Sequence, residues 1–150
     1  MDLCRKWNAW NMERMQGIDR KLTHIPASDL HDVWGIVRPG LVEIINNISP
    51  DWIPEDVYAA LRSGTSTLHV GYDCGEYDGF VVVTPTPEYY GICLFVWCAY
   101  SNGTDGITKY LAEIEEMART IKAKRIRFAS PRKGFSRLFR EVTTVYEKEL

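Results

Sequence analysis

The chain has 150 residues, 45% of them apolar and 25% charged, with a net charge of −2. That length supports one domain with a sizeable core, and the balanced charge creates no global field that would draw in nucleic acid or an acidic membrane. The longest apolar run is about ten residues, too short to cross a bilayer. Four cysteines (Cys4, Cys74, Cys93, Cys98) show neither a CxxC nor metal-ligand spacing, and His24, His31 and His69 are scattered. We therefore expect a reduced, cytosolic chain with no disulfide framework and no metal site. Asp2, Arg5 and Lys6 make a polar start that predicts no signal peptide.

Residues 2–22 predict an amphipathic helix, because Leu3, Trp7, Trp10, Met15, Ile18 and Leu22 recur at roughly helical spacing. Gly17 weakens it by roughly 1 kcal/mol. We read residues 1–24 as a helical arm and 25–150 as the domain. The arm either covers the domain's own core or carries Trp7 and Trp10 to another chain, since tryptophan anchors are favoured at interfaces. A second helix starts at Ser28 or Asp29 and carries Leu30, Val33, Trp34, Val37, Leu41, Ile44, Ile45 and Ile48 as its apolar stripe. Pro39 and Gly40 should kink or break it. After a loop over 49–54, residues 55–62 form a short helix ended by Gly64. Trp34 and Trp52 are expected in the core.

From Thr67 the pattern changes to strands. Residues 67–72 and 79–84 predict a hairpin around the loop 73–78, where Gly75 supplies a positive φ. Pro85 and Pro87 close the second strand. Residues 91–100 form a continuous apolar run rich in β-branched and aromatic side chains, which predicts a strand buried on both faces. The loop Ser101–Gly106 follows, and Thr104 or Asp105 is a plausible cap for a helix. That helix turns Ile107, Tyr110, Leu111, Ile114, Met117, Ala118 and Ile121 inward. A strand at 125–129 returns at the spacing of a right-handed crossover. A turn at 130–134, a short helix at 135–140 and a final strand at 142–147 complete an α/β (α+β) chain. Its mixed sheet has three antiparallel strands, then a strand–loop–helix–strand unit, with helices at the N-terminus. Helix amides after the 101–106 loop would point out of the sheet's carboxyl edge, a place able to bind phosphate.

That order of elements resembles the GNAT fold of N-acetyltransferases. The resemblance implies that the loop after the fourth strand cradles the pyrophosphate of acetyl-CoA through backbone amides, with the pattern Arg/Gln-x-x-Gly-x-Gly/Ala. Here Ser101 and Thr104 stand at the first and fourth positions when Gly106 takes the last. When Gly103 takes the fourth, Asp105 takes the last, so neither register satisfies the pattern. More specifically, the chain looks like small GNAT-like proteins encoded in phage structural gene modules. The stretches that carry this likeness are Ser28 to Trp34 followed by Val37 to Pro39, Leu61 to Gly64 with Leu68, Pro131 to Phe135, and Tyr146 to Leu150. It implies a virion-associated protein, in the virion or the host cytoplasm, whose acetyltransferase fold serves as a scaffold.

Residues 119–140 hold Arg119, Lys122, Lys124, Arg125, Arg127, Arg132, Lys133, Arg137 and Arg140, half of the 18 basic residues, with no Asp or Glu. This stretch is open to three readings: a solvated surface, a docking face for an acidic partner or packaged DNA, or, through Arg132, Lys133 and Arg137, a holder of the phosphates of CoA. Tyr146 could act as a general acid, as a tyrosine does in many acetyltransferases, but its place in the final strand favours a structural role. Acetyl transfer to an amine also needs a base, and Glu76, Asp78 and Glu88, expected on loops, are not distinguished from one another. Tyr89, Tyr90 and Tyr100 could line a cleft or simply pack at strand edges. No catalytic set is readable.

The reading that emerges is a non-catalytic or vestigial GNAT-like phage protein with no cofactor. It would bind other virion or phage proteins through Trp7 and Trp10 of the arm and through Arg125, Arg127, Arg132, Lys133 and Arg137. Neither sequence-specific nucleic acid nor a membrane is expected as a partner. The alternative is an acetyl-CoA-dependent N-acetyltransferase in which Ser101, Asn102, Gly103, Thr104, Asp105 and Gly106 bind the cofactor by backbone amides.

Overall fold

The computed structural model of the chain describes residues 21–102, 106–130, 135, 138–142 and 145–150, with only the main chain at Lys21. The helix expected over 2–22 therefore lies outside the described residues as far as position 20. Its last part is a strand instead. Lys21–Ile25 forms β1, antiparallel to the strand that begins at Thr67. The alternation in this stretch decides the matter: Leu22 packs on one side of the sheet and Ile25 on the other. The chain thus enters the sheet before position 25, where the expected arm ends.

A 3-10 turn at Ala27–Asp29 leads into α1, Leu30–Ile48, and then α2, Pro54–Ser63. Pro39 lies inside α1 without ending it. Pro39 and Gly35, the residue four positions earlier whose carbonyl loses its donor, both face solvent, so water can take the place of the missing bond. In α2 the Ile53 amide donates to Asp56 Oδ2 at 2.9 Å, and Gly64 caps the other end at φ 81°, as expected.

Three strands follow: β2, Thr67–Asp73; β3, Glu76–Glu88; and β4, Gly91–Ser101. The β2–β3 turn is the two-residue pair Cys74-Gly75, both at positive φ, tighter than the expected loop. Cys74 is disulfide-bonded, which corrects the expectation of a chain without disulfides. Cys74 is half-buried on the hairpin tip, whereas the free Cys93 and Cys98 are buried. β3 also runs past its two prolines. Pro85 and Pro87 pair with β4 but lie beyond the last partner on β2, Val83↔Thr67, so neither has to supply an amide to a second ladder. The crossover then consists of α3, Gly106–Lys109, and α4, Leu111–Thr120, with β5, Arg125–Arg127, parallel to β4. The predicted helix is thus divided at Tyr110, yet its inward stripe holds: Tyr110, Ile114 and Ala118 are buried.

The five strands lie in sequence order in one sheet. One face packs on α1 and α2 through Leu30, Val37, Leu41, Val57 and Leu61 against Leu68, Val70, Phe80, Val82 and Cys98. The other packs on α3 and α4 through Val81, Val83, Leu94, Val96, Tyr110, Ile114 and Ala118. Simple alternation would put Val96 and Cys98 on one face. The register instead runs Val83↔Val96 and Val82↔Cys98, so Trp97 is an extra residue, and this bulge sends the two to opposite cores. Trp34 and Trp52 pack against the first core half-buried, in edge contacts with Tyr58 and Trp97. Among the described residues of 138–150 no strand is assigned, so the expected final strand is not seen. Among the described residues no helix is long and apolar enough to cross a membrane.

Two positions test this packing. A Cβ on Gly71 would stand 2.5 Å from the Tyr110 hydroxyl oxygen and 2.8 Å from its Cζ, so Gly71→Ala should destabilise the fold by about 1–3 kcal/mol. Gly35 has nothing within 4 Å of its Cβ position, and Gly35→Ala should stabilise by about 0.5–1 kcal/mol. Urea midpoints of the two variants measure both. The second test is pH. Burial, reinforced by the facing His24, pulls His69 down to about 4. An unfolded chain protonates that ring near its ordinary value of 6.5. The neutral ring's contribution to stability is therefore present above pH 6.5 and is lost as pH falls towards 4. Melting temperature should fall more steeply over this range in the wild type than in His69→Gln.

Candidate functional site

β4 and β5 run together for only three residues, with Cys93 opposite Arg125, Leu94 opposite Ile126 and Phe95 opposite Arg127. From Val96 to Ser101 β4 continues in a ladder with β3. Among the described residues, its outer edge has no strand partner there, and the Trp97 bulge lies in the same stretch. A cleft of about 170 Å³ opens along this edge. Its floor is β4 from Val96 to Ser101, one wall is α1 at Glu43, Ile44, Asn47 and Ile48, and the far side is Gly106, Ile107, Ser130 and Phe135.

The close approach of α1 has a local cause. A Cβ on Gly40 would stand 2.7 Å from Phe80 Cε1 and 3.0 Å from Tyr100 Cδ1, so only glycine lets the helix backbone rest on these two rings. Glu43 lies one turn further on the same face and is the only carboxylate lining the cleft among the described residues. The Tyr100 hydroxyl donates to Asn102 Oδ1 at 3.4 Å. Hydrogen-bonding interaction with the nearby Glu43 carboxylate, then burial, then the Glu43 charge hold the phenol above its usual range, so Tyr100 stays protonated at neutral pH.

The loop expected to hold a cofactor begins at this end of the cleft. Ser101 is buried, and the Asn102 amide donates to the Asp78 carbonyl at 2.9 Å, so the exit from β4 is tied to β3. Gly106 re-enters the structure hard against β4, where a Cβ would stand 2.8 Å from the Tyr100 nitrogen. Ser101 and Gly106 both line the cleft. Gly103, Thr104 and Asp105 lie outside the described residues, as do Trp7, Trp10, Arg132, Lys133 and Arg137.

The remaining candidates have other partners. Arg125 Nε is 3.3 Å from Glu88 Oε2, and Arg127 pairs with the other oxygen of the same carboxylate. Asp78 accepts from the Tyr110 hydroxyl and from Lys109 Nζ at 2.7 Å, with both ionic side chains 13% exposed. Asp78 and Glu88 are thus structural ion-pair residues in β3, and Glu76 also belongs to β3 rather than to a loop. Tyr146 is 88% exposed, which corrects its expected packing role. Tyr89 and Tyr90 form the tip of the β3–β4 hairpin, exposed and in contact mainly with each other. Of the three candidate tyrosine positions, only Tyr100 reaches the cleft. Glu43 and Asn47 were not singled out from the sequence. The available signal was a glycine and a carboxylate one turn apart, both interrupting the apolar stripe of α1.

No family model matches the chain, and no curated protein matches it. Solved structures do. The ribosomal-protein-alanine N-acetyltransferase of Brucella melitensis superposes with a TM-score of 0.63 at 14% identity, covering 87% of this chain and 99% of that one. An aminoglycoside acetyltransferase from an uncultured soil sample, solved with trehalose, gives 0.60 at 12% identity, with 88% and 97% covered. A protein of Clostridium acetobutylicum, described as a predicted acetyltransferase and solved with acetyl-CoA, gives 0.60 at 12% identity, with 87% and 96% covered. This chain, with its mixed five-stranded sheet and its cleft at the outer edge of β4, has the fold of the GNAT acetyltransferases.

Proposed function

We propose that the chain is an acetyl-CoA-dependent N-acetyltransferase that works in the cleft beside β4. The observation that carries this reading is the β4 edge from Val96 to Tyr100, which has no strand partner among the described residues, meeting in one cleft the carboxylate of Glu43, the only one lining it among those residues. The likeness to acetyltransferase structures supports it over the virion-associated scaffold that the sequence suggested. The residues fit the cofactor. An extended, amide-bearing arm can hydrogen-bond to a strand edge as another strand would, and a cleft of about 170 Å³ suits such an arm rather than a whole nucleotide coenzyme. The backbone of Ser101–Gly106 would hold the pyrophosphate. Bound there, the thioester supplies an acetyl carbonyl for an amine to attack.

The chain's own part is proton transfer and orientation. An amine reaches the site mostly as an ammonium ion, which is not nucleophilic. Glu43 takes the proton: the N–H bond breaks, an O–H bond forms on the carboxylate, and the electron pair stays on nitrogen. Ile44, Ile48 and Trp97 supply apolar walls that limit competing water. Arg125 and Arg127, committed to Glu88, are left out of this role.

Acetyl-CoA at about 100 times its Kd should stabilise the protein by about 2.7 kcal/mol, raising Tm by roughly 5–10 °C. Release of the CoA thiol should follow when primary amines are added. Glu43→Gln should keep the thermal shift while turnover falls by about 10²–10⁴-fold. Absence of any shift at millimolar acetyl-CoA contradicts the proposal.

A further inference from the structure

We propose that His24 and His69 form a two-histidine site for a late first-row divalent metal ion (nickel, copper or zinc), and that the bound ion fastens the edge strand β1 to β2. The two residues are far apart in sequence but stand directly opposite each other in the β1–β2 ladder. Their side chains rise from one face of the sheet, the face that also carries Leu22 and Val81. The ring centroids are 5.3 Å apart, with the planes tilted by 44°. Two imidazoles on one ion, each with its nitrogen about 2.0–2.1 Å from the metal, have centroids about 4.5 Å apart at a square-planar angle and about 5.2 Å apart at a tetrahedral one. The observed separation lies next to the tetrahedral value. An ion between the rings therefore requires them to turn, not the strands to move.

Thr67 adds a second feature of such a site. Its hydroxyl oxygen is 3.0 Å from His69 Nε2. In the tautomer whose Nε2–H donates to Thr67, the other ring nitrogen, Nδ1, carries the lone pair that an ion needs. Metal-binding histidines almost always donate their second ring N–H to an oxygen acceptor, which fixes the tautomer. His69 is half-buried and His24 is exposed, so an ion can arrive from solvent and the outer ring can turn to meet it. Without an ion, protonation of both rings would place like charges directly opposite each other, which is destabilising. A shared ion replaces that repulsion with two coordinate bonds across the ladder. Among the described residues no group of three or more His, Cys, Asp or Glu is placed to hold a metal, so the chain supplies two ligands and water fills the remaining positions. Among the same residues β1 has a strand neighbour on one side only, and the ion would reinforce its ladder there. The site lies at the opposite end of the sheet from β5, and the inference is independent of the catalytic reading of the cleft.

Zinc chloride titrated into the full chain at mildly alkaline pH tests the site, with the imidazole resonances of the three histidines followed by NMR. Those of His24 and His69, assigned through His24→Gln and His69→Gln, should move together and saturate at one zinc per chain. Those of His31, exposed on α1, should stay in place. Magnesium, which prefers oxygen ligands, should move none of them at the same concentration. His24→Gln, at an exposed position outside both cores, should weaken zinc binding at least about 10-fold, and so should His69→Gln. Wild-type affinity in either variant, or no shared movement up to millimolar zinc, overturns the site. The β1 amides should exchange more slowly with zinc bound than without it. Unchanged exchange at saturating zinc overturns the fastening of β1.

Discussion

The parallel pairing of β4 with β5, and its early end, is the constraint on which the rest of the site depends. Three residue pairs join the strands, and beyond them β4 has β3 as its only strand partner among the described residues. Glu88 fixes where the pairing occurs. It sits at the end of β3 opposite Gly91 and holds Arg125 and Arg127, alternate residues of β5, through its two oxygens. With its side chain only 19% exposed, this carboxylate is screened less than a surface ion pair, and losing it would leave two guanidinium groups uncompensated. β5 is thereby held against the first half of β4, and the second half faces the cleft.

The bulge at Trp97 serves both halves of this arrangement. It lets one strand feed two cores, with Val96 under α4 and Cys98 under α1, and it breaks the ladder just past the last pair with β5. The helices then bracket the opening: α1 leans on Phe80 and Tyr100 because Gly40 has no side chain, and α3 starts against β4 because Gly106 has none. Two glycines far apart in sequence thus narrow the same cleft from opposite sides. The Asp78–Lys109–Tyr110 cluster ties the start of the crossover to β3, so the wall formed by Gly106 and Ile107 is anchored at its base.

Much of this could be read from the amino acids in order. The helix period over 107–121 and the strand run over 91–100 were legible because each buries a continuous stripe, and the GNAT-like sequence of elements followed from them. Lys21–Ile25 was misread because Leu22 fits a helical stripe as readily as a strand; only the pairing with β2 distinguishes them. Pro39, Pro85 and Pro87 misled for one reason. Proline is costly where its missing amide is needed, and at these three places solvent or an open edge removes the need. The cleft was the least legible part. Glu43 reads as a surface residue on an apolar helix, and its significance comes from sharing a cleft with β4, more than 50 positions later. Arg125 and Arg127 read as a free basic surface because Glu88, their partner, lies on another strand.

The most direct measurement is hydrogen exchange of the backbone amides from Val96 to Ser101, with and without acetyl-CoA. If the outer edge of β4 receives the cofactor as a strand would, amides in this segment should slow markedly on binding, while those of Leu68 to Val70 in β2 stay unchanged. Binding that leaves the 96–101 amides exchanging at their original rate would contradict the account, since the cofactor would then lie elsewhere on the fold.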